Sequence, residues 1–392
     1  MSQTLEPSPA AEPSLSRINV MRPWLGEEEA QAAAEAVRSG WVAQGPRVAE
    51  FERAFAARVQ APFGVAMSSC TTALHVALIV AGVQPGDDVV VPSFSFIATA
   101  NAPTYVGANP VFCDVDVRTG NVTPETIEAA LTPATKAVIA VDQGGIPVDL
   151  VAIRELCDPL GIVVVEDAAC AAGSTYRGRP VGTGADVAAW SFHPRKLLTT
   201  GEGGMLTTGH QEWAERARRL REHGMSVSAA ARHASVLAPA EEYVERAYNY
   251  RMTDIQAAVG LVQLGKLDAM VQRRRELAER YRDVLNQLPG LRLVADPEYG
   301  SANFQSLWVQ VLPEFGVSRD RLLEHLAEHG ISARRGIMCA HRQPAYVGSA
   351  RSELSVSERL SDNTLILPLY HDLTEDELGR VLAAVCSARA PG

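Results

Sequence analysis

The sequence predicts an α/β protein: a large domain on a mainly parallel, mixed sheet flanked by helices, then a smaller α+β C-terminal domain. Three observations predict it. Between about Pro62 and Thr208, short apolar and β-branched runs alternate with stretches of helical pattern. Those runs are apolar throughout, as strands covered on both faces must be. A chain of 392 residues is also too long for one compact core, so a second unit is expected.

The elements follow in order. "MSQTLEPSPAAEPSLS" is rich in Pro, Ser and Ala and reads as a disordered tail over residues 1–17. "FGVAM" is a strand leading into the helix "TTALHVALIVAG", which closes at Gly82. "DDVVVP" leads into "FIATANAPTYVGA", and "PVFCDVD" into "TPETIEAAL". "KAVIAVD" precedes "VDLVAIRELCDPLG", and the strand "GIVVVEDAA" follows. "AAWSFH" and "GGMLTT" add two strands around Lys196. The large domain is expected over 18–265. The small one, over 266–392, opens on the long helix "KLDAMVQRRRELAERYRDVLNQL" and continues through "SLWVQVLP", "SRDRLLEHLAEHG" and "LILPLYHDLTEDELGRVLAAV".

Composition narrows the function. A net charge of −10 argues against a nucleic-acid or anionic-membrane surface, and no run approaches the ~20 apolar residues of a membrane span. The six cysteines form no CxxC pair and no zinc-like spacing, so no metal is expected, and reduced thiols in a cytoplasm are the reading.

Ligands of open α/β sheets collect at the carboxyl ends of the strands, and three such ends are informative here. In "AMSSCTTAL", small and hydroxylated residues enter a helix; they suit a phosphate and equally suit an ordinary N-cap. In "VVVEDAA", Asp167 ends an apolar strand, where a carboxylate needs a cation, a strong donor or a capping role. In "SFHPRKLLTTGEGGMLTT", Ser191 and Lys196 follow a buried strand, and a lysine there can have its pKa lowered and attack an aldehyde. A phosphate cradle, a buried aspartate and such a lysine together describe what pyridoxal 5'-phosphate (PLP) requires.

With "PSFSFIATANA", "VEDAACAAGSTYRGRPVG" and "YNYRMTDIQAAVGLVQL", these blocks resemble, in the same order, the DegT/StrS group of PLP-dependent nucleotide-sugar aminotransferases, which are fold-type I enzymes. The likeness runs from "INVMRPWLGEEE" to the last helix. It implies that Lys196 bonds the cofactor's aldehyde and Asp167 partners its ring nitrogen. It implies that Phe96 stacks on the ring, and that Ser191, Thr71 and Thr72 hold the phosphate. Asn249 would reach the phosphate of a neighbouring subunit's cofactor, which implies a homodimer with shared active sites.

Two positions depart from the family's commoner pattern. Cys70 stands where many relatives have Gly, tightening the phosphate loop. Cys170 stands where many have Gln or His against the cofactor's ring hydroxyl, and a thiol is a weak donor. Asp142 replaces a common histidine and has no role assigned. Glu202 and the glycines of "GEGG" form the turn before the next strand.

The expected reaction is Ping-Pong transfer of an amino group, from glutamate by analogy, to a nucleoside-diphosphate keto-sugar. "SGWVAQGP", with Trp41, resembles members acting at C4 of 4-keto-6-deoxyhexoses; amination at C3 is the alternative. His193 faces the sugar or packs. Arg334, Arg335, His341 and Arg342 bind an anionic substrate group or form a solvated patch. A sugar dehydratase of this group would carry histidine in place of Lys196. A non-catalytic PLP-binding regulator expects an attached DNA-binding segment, which the short tail is not. A nicotinamide oxidoreductase needs a GxGxxG turn that "AMSSCTTAL" lacks.

Overall fold

The computed structural model describes residues 16–227 and 240–389. The expected tail lies, over residues 1–15, outside them, as do the last three residues assigned to the small domain. From Ile18 the chain is anchored: Ile18 is fully buried and bridges Ile331 in parallel, its N–H donating to Gly330 O at 3.0 Å.

Helices α1 (Glu27–Arg38) and α2 (Pro46–Arg58) come first. Then follow β1 (Phe63–Met67), α3 (Cys70–Val80), β2 (Asp88–Pro92), α4 (Ile97–Tyr105), β3 (Asn109–Cys113), α5 (Pro124–Glu128) and β4 (Thr135–Val141). Next are α6 (Leu150–Cys157), β5 (Val163–Asp167), the short β6 (Thr175–Tyr176) and β7 (Arg179–Pro180), β8 (Val187–Ser191), β9 (Gly204–Thr208) and α7 (Gln211–Leu220). The main sheet has the order β1-β9-β8-β5-β4-β2-β3. Only β9 runs against its neighbours; every other adjacent pair is parallel. Valines 89–91, 164 and 165 are buried, as strands between two helical layers require.

Register brings the informative strand ends to one edge. Met67 and Ser191 both pair with Gly204, and Val141 pairs with Asp167. A Cβ on Gly204 would come within 2.4 Å of the Ser69 carbonyl. That close approach explains one glycine of "GEGGM"; Gly201, at φ +84°, makes the turn before it.

Helix α8 (Asp254–Leu285) is 32 residues long and capped by Thr253, whose Oγ1 accepts the Gln256 N–H at 3.2 Å. The division expected between residues 265 and 266 falls inside this helix. Its first half packs on α1 and α2, and Leu277, Tyr281 and Leu285 join the core under the C-terminal sheet. There follow β10 (Leu291–Leu293), β11 (Gly300–Ser301), β12 (Leu307–Val311), α9 (Arg319–Glu328), β13 (Arg334–Arg335), α10 (Ser355–Asn363), β14 (Thr364–Leu367) and α11 (Glu375–Ser387). β10-β12-β14-β13 form an antiparallel sheet, and β11 pairs with β6.

Candidate active site

A cleft of about 320 Å³ opens at the carboxyl edge of the main sheet. Asp167 ends β5 on its floor, 4% exposed. One carboxylate oxygen accepts the Thr99 hydroxyl at 2.9 Å; the other accepts the Ala169 N–H at 3.3 Å and lies 3.9 Å from Cys70 Sγ. Burial pushes the Asp167 carboxyl above its ordinary value, and Thr99, Lys196 and the Ala169 N–H only partly offset it.

The wall beside Asp167 is the first turn of α3. Ser69 caps that helix, its Oγ accepting the Thr72 N–H at 3.2 Å. Cys70 and Thr71 line the cleft at the turn whose N–H groups have no partners within the helix. Thr72 does not line it: its hydroxyl donates to the Ser69 carbonyl at 2.8 Å and accepts the Ser69 N–H at 3.1 Å. The two readings open for this segment therefore divide between residues: Ser69 caps, Thr72 closes the capping box onto the Ser69 backbone, and Thr71 faces the cavity.

Lys196 enters from the opposite side on the loop between β8 and β9. Phe192 holds that loop, its carbonyl accepting the Thr199 hydroxyl at 2.9 Å and the Thr200 N–H at 3.0 Å. Gln305, 109 residues from Lys196, accepts the Leu197 N–H at 2.8 Å and donates to the Arg195 carbonyl at 2.5 Å. Lys196 Nζ donates to Cys170 Sγ at 3.1 Å. Burial alone lowers this lysine, as a buried sheet edge suggests, but Cys170, Cys70 and Asp167 together outweigh it and hold the amine above its ordinary pKa. Crowding of acceptors around the nitrogen decides the sign.

Ser191, Phe96, Cys170, His193 and Glu202 also line the cleft. Phe96 is 64% exposed, an apolar ring at the mouth. His193 lies 3.9 Å from Glu202, and burial lowers its pKa. Trp41 lies outside the cleft lining, as does Asn249, an exposed residue whose backbone bridges Glu222. Asp142 is fully buried behind the site. One of its oxygens accepts the Val148 N–H at 2.9 Å, and the other has no partner. Burial and nearby Glu166 push its pKa well up.

The four basic residues separate. Arg335 pairs with Asp320 at 3.2 Å, Arg342 with Glu358 at 2.8 Å and Asp362 at 2.9 Å, and His341 sits between Ser93 and Glu358. Arg334 makes no ion pair among the described residues and lines a second cavity beside Lys196.

Two residues of consequence had no role in the sequence reading. Thr99 lies inside "PSFSFIATANA", but nothing in that string shows its hydroxyl turning to Asp167. Gln305 has no motif at all.

The donor set fits PLP: unpartnered amide groups and a hydroxyl at a helix N-terminus, a buried carboxylate, an amine and an exposed aromatic ring meet in one small cleft. The fold and site define a group-transfer enzyme of the fold-type I architecture. The model of the DegT/DnrJ/EryC1/StrS aminotransferase family matches residues 23–386, and the chain belongs to that family of aminotransferases. It is 40% identical over 368 residues to the spore coat polysaccharide biosynthesis protein SpsC of Bacillus subtilis (strain 168), covering 93% of this chain and 95% of SpsC. The aminotransferase TlmJ of Streptoalloteichus hindustanus superposes with a TM-score of 0.87 at 39% identity, covering 95% and 98% of the two chains. Spr1654 of Streptococcus pneumoniae has a PLP-form structure that superposes at 0.88 and 28% identity, covering 95% and 98%; a PMP form is also known.

Proposed function

We propose that this enzyme uses PLP to move an amino group, in two half-reactions at one site, from glutamate to C4 of a 4-keto-6-deoxyhexose carried on a nucleoside diphosphate. The observation that carries the reading is the convergence of Lys196, Asp167 and the first turn of α3 on one cleft. When bound, PLP supplies an electron sink for charge developing at the amino donor's α-carbon.

The chain's own residues do the rest. The α3 amide groups, with Thr71 and Ser191, bind the phosphate and set the cofactor's position. Phe96 covers one ring face and excludes water. Asp167 holds a proton on the ring nitrogen, and Thr99 keeps that carboxylate oriented. The Lys196 amine would take the proton from the donor's α-carbon. Cys170, in contact with Lys196, takes the place that Gln or His has in many relatives.

The name of SpsC and the "SGWVAQGP" segment support a sugar acceptor and, with Trp41, the C4 position; His193 faces the sugar from the loop of Lys196. Asn249 lies outside its own cleft, which supports a homodimer in which it serves the partner's site. Assaying nucleotide-linked 3-keto and 4-keto sugars with glutamate tests the reading. Amination of 4-keto sugars is expected. Turnover of 3-keto sugars alone would move the reaction to C3, and turnover of neither would end the sugar assignment.

A further inference from the structure

One short segment holds both Cys170 and Lys196. Asn303, fully buried between β11 and β12, donates from Nδ2 to the Cys170 and Ala172 carbonyls, each at 2.8 Å. Its Oδ1 accepts the Gln305 N–H at 2.8 Å. Gln305 in turn grips the Lys196 loop through the Leu197 N–H and the Arg195 carbonyl. Thiol and amine are thus clamped against each other from the same three-residue stretch, with Sγ 3.1 Å from Nζ.

Small molecules can reach this pair. Both residues line the cofactor cleft and also the second cavity, of about 440 Å³, and Cys170 is only half-buried. The other thiols differ. Cys113, Cys157 and Cys339 are buried, and burial pushes their pKa values up; Cys386 is exposed on α11. Cys70 shares the cleft, but burial and Asp167 push its thiol well above the ordinary value, so it keeps its proton. The chain has three lysines, Lys136, Lys196 and Lys266, and among the described residues Lys196 alone is hydrogen-bonded to sulfur.

We propose that Cys170 and Lys196 are a modification site for hydrogen peroxide, which joins them into a reversible sulfenamide cross-link that occupies the lysine's amine. A thiolate is the form of sulfur that peroxide oxidises, and the touching amine is the base that takes the thiol's proton. In the first step the sulfur attacks peroxide. The O–O bond breaks, an S–O bond forms, sulfur is oxidised by two electrons to a sulfenate, and the other oxygen leaves as water. In the second step the lysine nitrogen bonds the sulfur and the S–O bond breaks. The sulfenate oxygen takes two protons from the ammonium and leaves as water, so no further oxidant is needed. A thiol reductant reverses the bond: one thiol displaces the amine from sulfur, and a second releases Cys170 as its thiol. The inference rests on the aminotransferase reading in one respect, which is timing. Lys196 is free while pyridoxamine 5'-phosphate (PMP) occupies the cleft and engaged while PLP does, so oxidation would arrest the enzyme between its two half-reactions.

The test exposes PMP-loaded and PLP-loaded enzyme to hydrogen peroxide and reads intact mass and peptide maps. The PMP-loaded chain is expected to lose the mass of two hydrogen atoms and to yield a joined peptide pair carrying Cys170 and Lys196. Dithiothreitol should reverse both changes. The yield from PLP-loaded enzyme should be severalfold lower. Cys70→Ser should keep the cross-link and Cys170→Ser should lose it. Unmodified Cys170, a sulfinic acid there without a cross-link, or a disulfide between Cys70 and Cys170 would each overturn the proposal. Equal cross-linking of the two loaded forms would leave the bond standing and overturn instead the reading in which PLP engages Lys196.

Discussion

Lys196 Nζ and Cys170 Sγ are 3.1 Å apart, and that contact ties the amine to the segment that follows Asp167. Cys170 is placed there by its own backbone: its carbonyl accepts Asn303 Nδ2 at 2.8 Å, so the loop between β11 and β12 helps hold the segment that carries the thiol beside the lysine.

Cys170 makes the leading contribution that raises the pKa of Lys196 against the opposite pull of burial, so removing its sulfur moves the balance toward burial, with Cys70 and Asp167 still opposing it. Cofactor-free Cys170→Ala enzyme is expected to expose more unprotonated amine at any given pH. The pH profile for labelling Lys196 with trinitrobenzenesulfonate, followed by peptide mapping, should shift to lower pH, with severalfold faster labelling near pH 8. An unmoved profile would mean that the contact has no bearing on the lysine's proton.

The Thr99 hydroxyl is the largest influence lowering the pKa of buried Asp167. Thr99→Val keeps the shape, deletes the donor and raises Asp167 further. We expect kcat/KM to fall about tenfold, the scale of one hydrogen bond to a charged group, with Thr99→Ser near wild type. Equal activity of the Val and Ser variants would remove Thr99 from the site.

Lys196→Ala should abolish turnover while circular dichroism and the unfolding midpoint stay the same, and borohydride should fix the cofactor of the wild-type enzyme on the peptide carrying Lys196. Mixed with inactive Asn249→Asp chains, Lys196→Ala chains should regain activity, since a hybrid dimer contains one site with both native residues. No recovery after subunit exchange would count against a shared site.

Burial raises the Glu166 carboxyl to about 7, and one of its oxygens has no partner. The folded state then holds this proton more tightly than the unfolded chain does. Stability contributed by the group is present at low pH and is lost as pH rises from the ordinary carboxylate range through about 7. Glu166→Gln cannot ionise. Its advantage over wild type in urea midpoint should grow between pH 5 and pH 8; a constant difference would contradict the buried proton.

Strand ends were legible in the string because uniformly apolar runs of five or so residues announce covered strands, and any charge closing such a run stands out. Asp167 is of that kind, and Lys196 stands just past another such run, on the loop after β8. Thr72 and Thr71 are adjacent hydroxyls that no pattern separates; only helix geometry turns Thr72 back onto the Ser69 cap and leaves Thr71 on the cavity. Arg334, Arg335 and Arg342 look alike in "ISARRGIMCAHRQ", and ion pairs with Asp320, Glu358 and Asp362 take two of the three away from the active site.

The order of residues thus set the alternating architecture and marked the lysine and the aspartate, because those signals are local periodicity and a charge where none is cheap. Which hydroxyl meets Asp167, which side chain grips the Lys196 loop and which arginine is left without an acid were settled by packing. Thr99 is 68 residues from Asp167 and Gln305 is 109 from Lys196; hydrogen bonds across such separations depend on how layers stack, and no spacing in the chain encodes that.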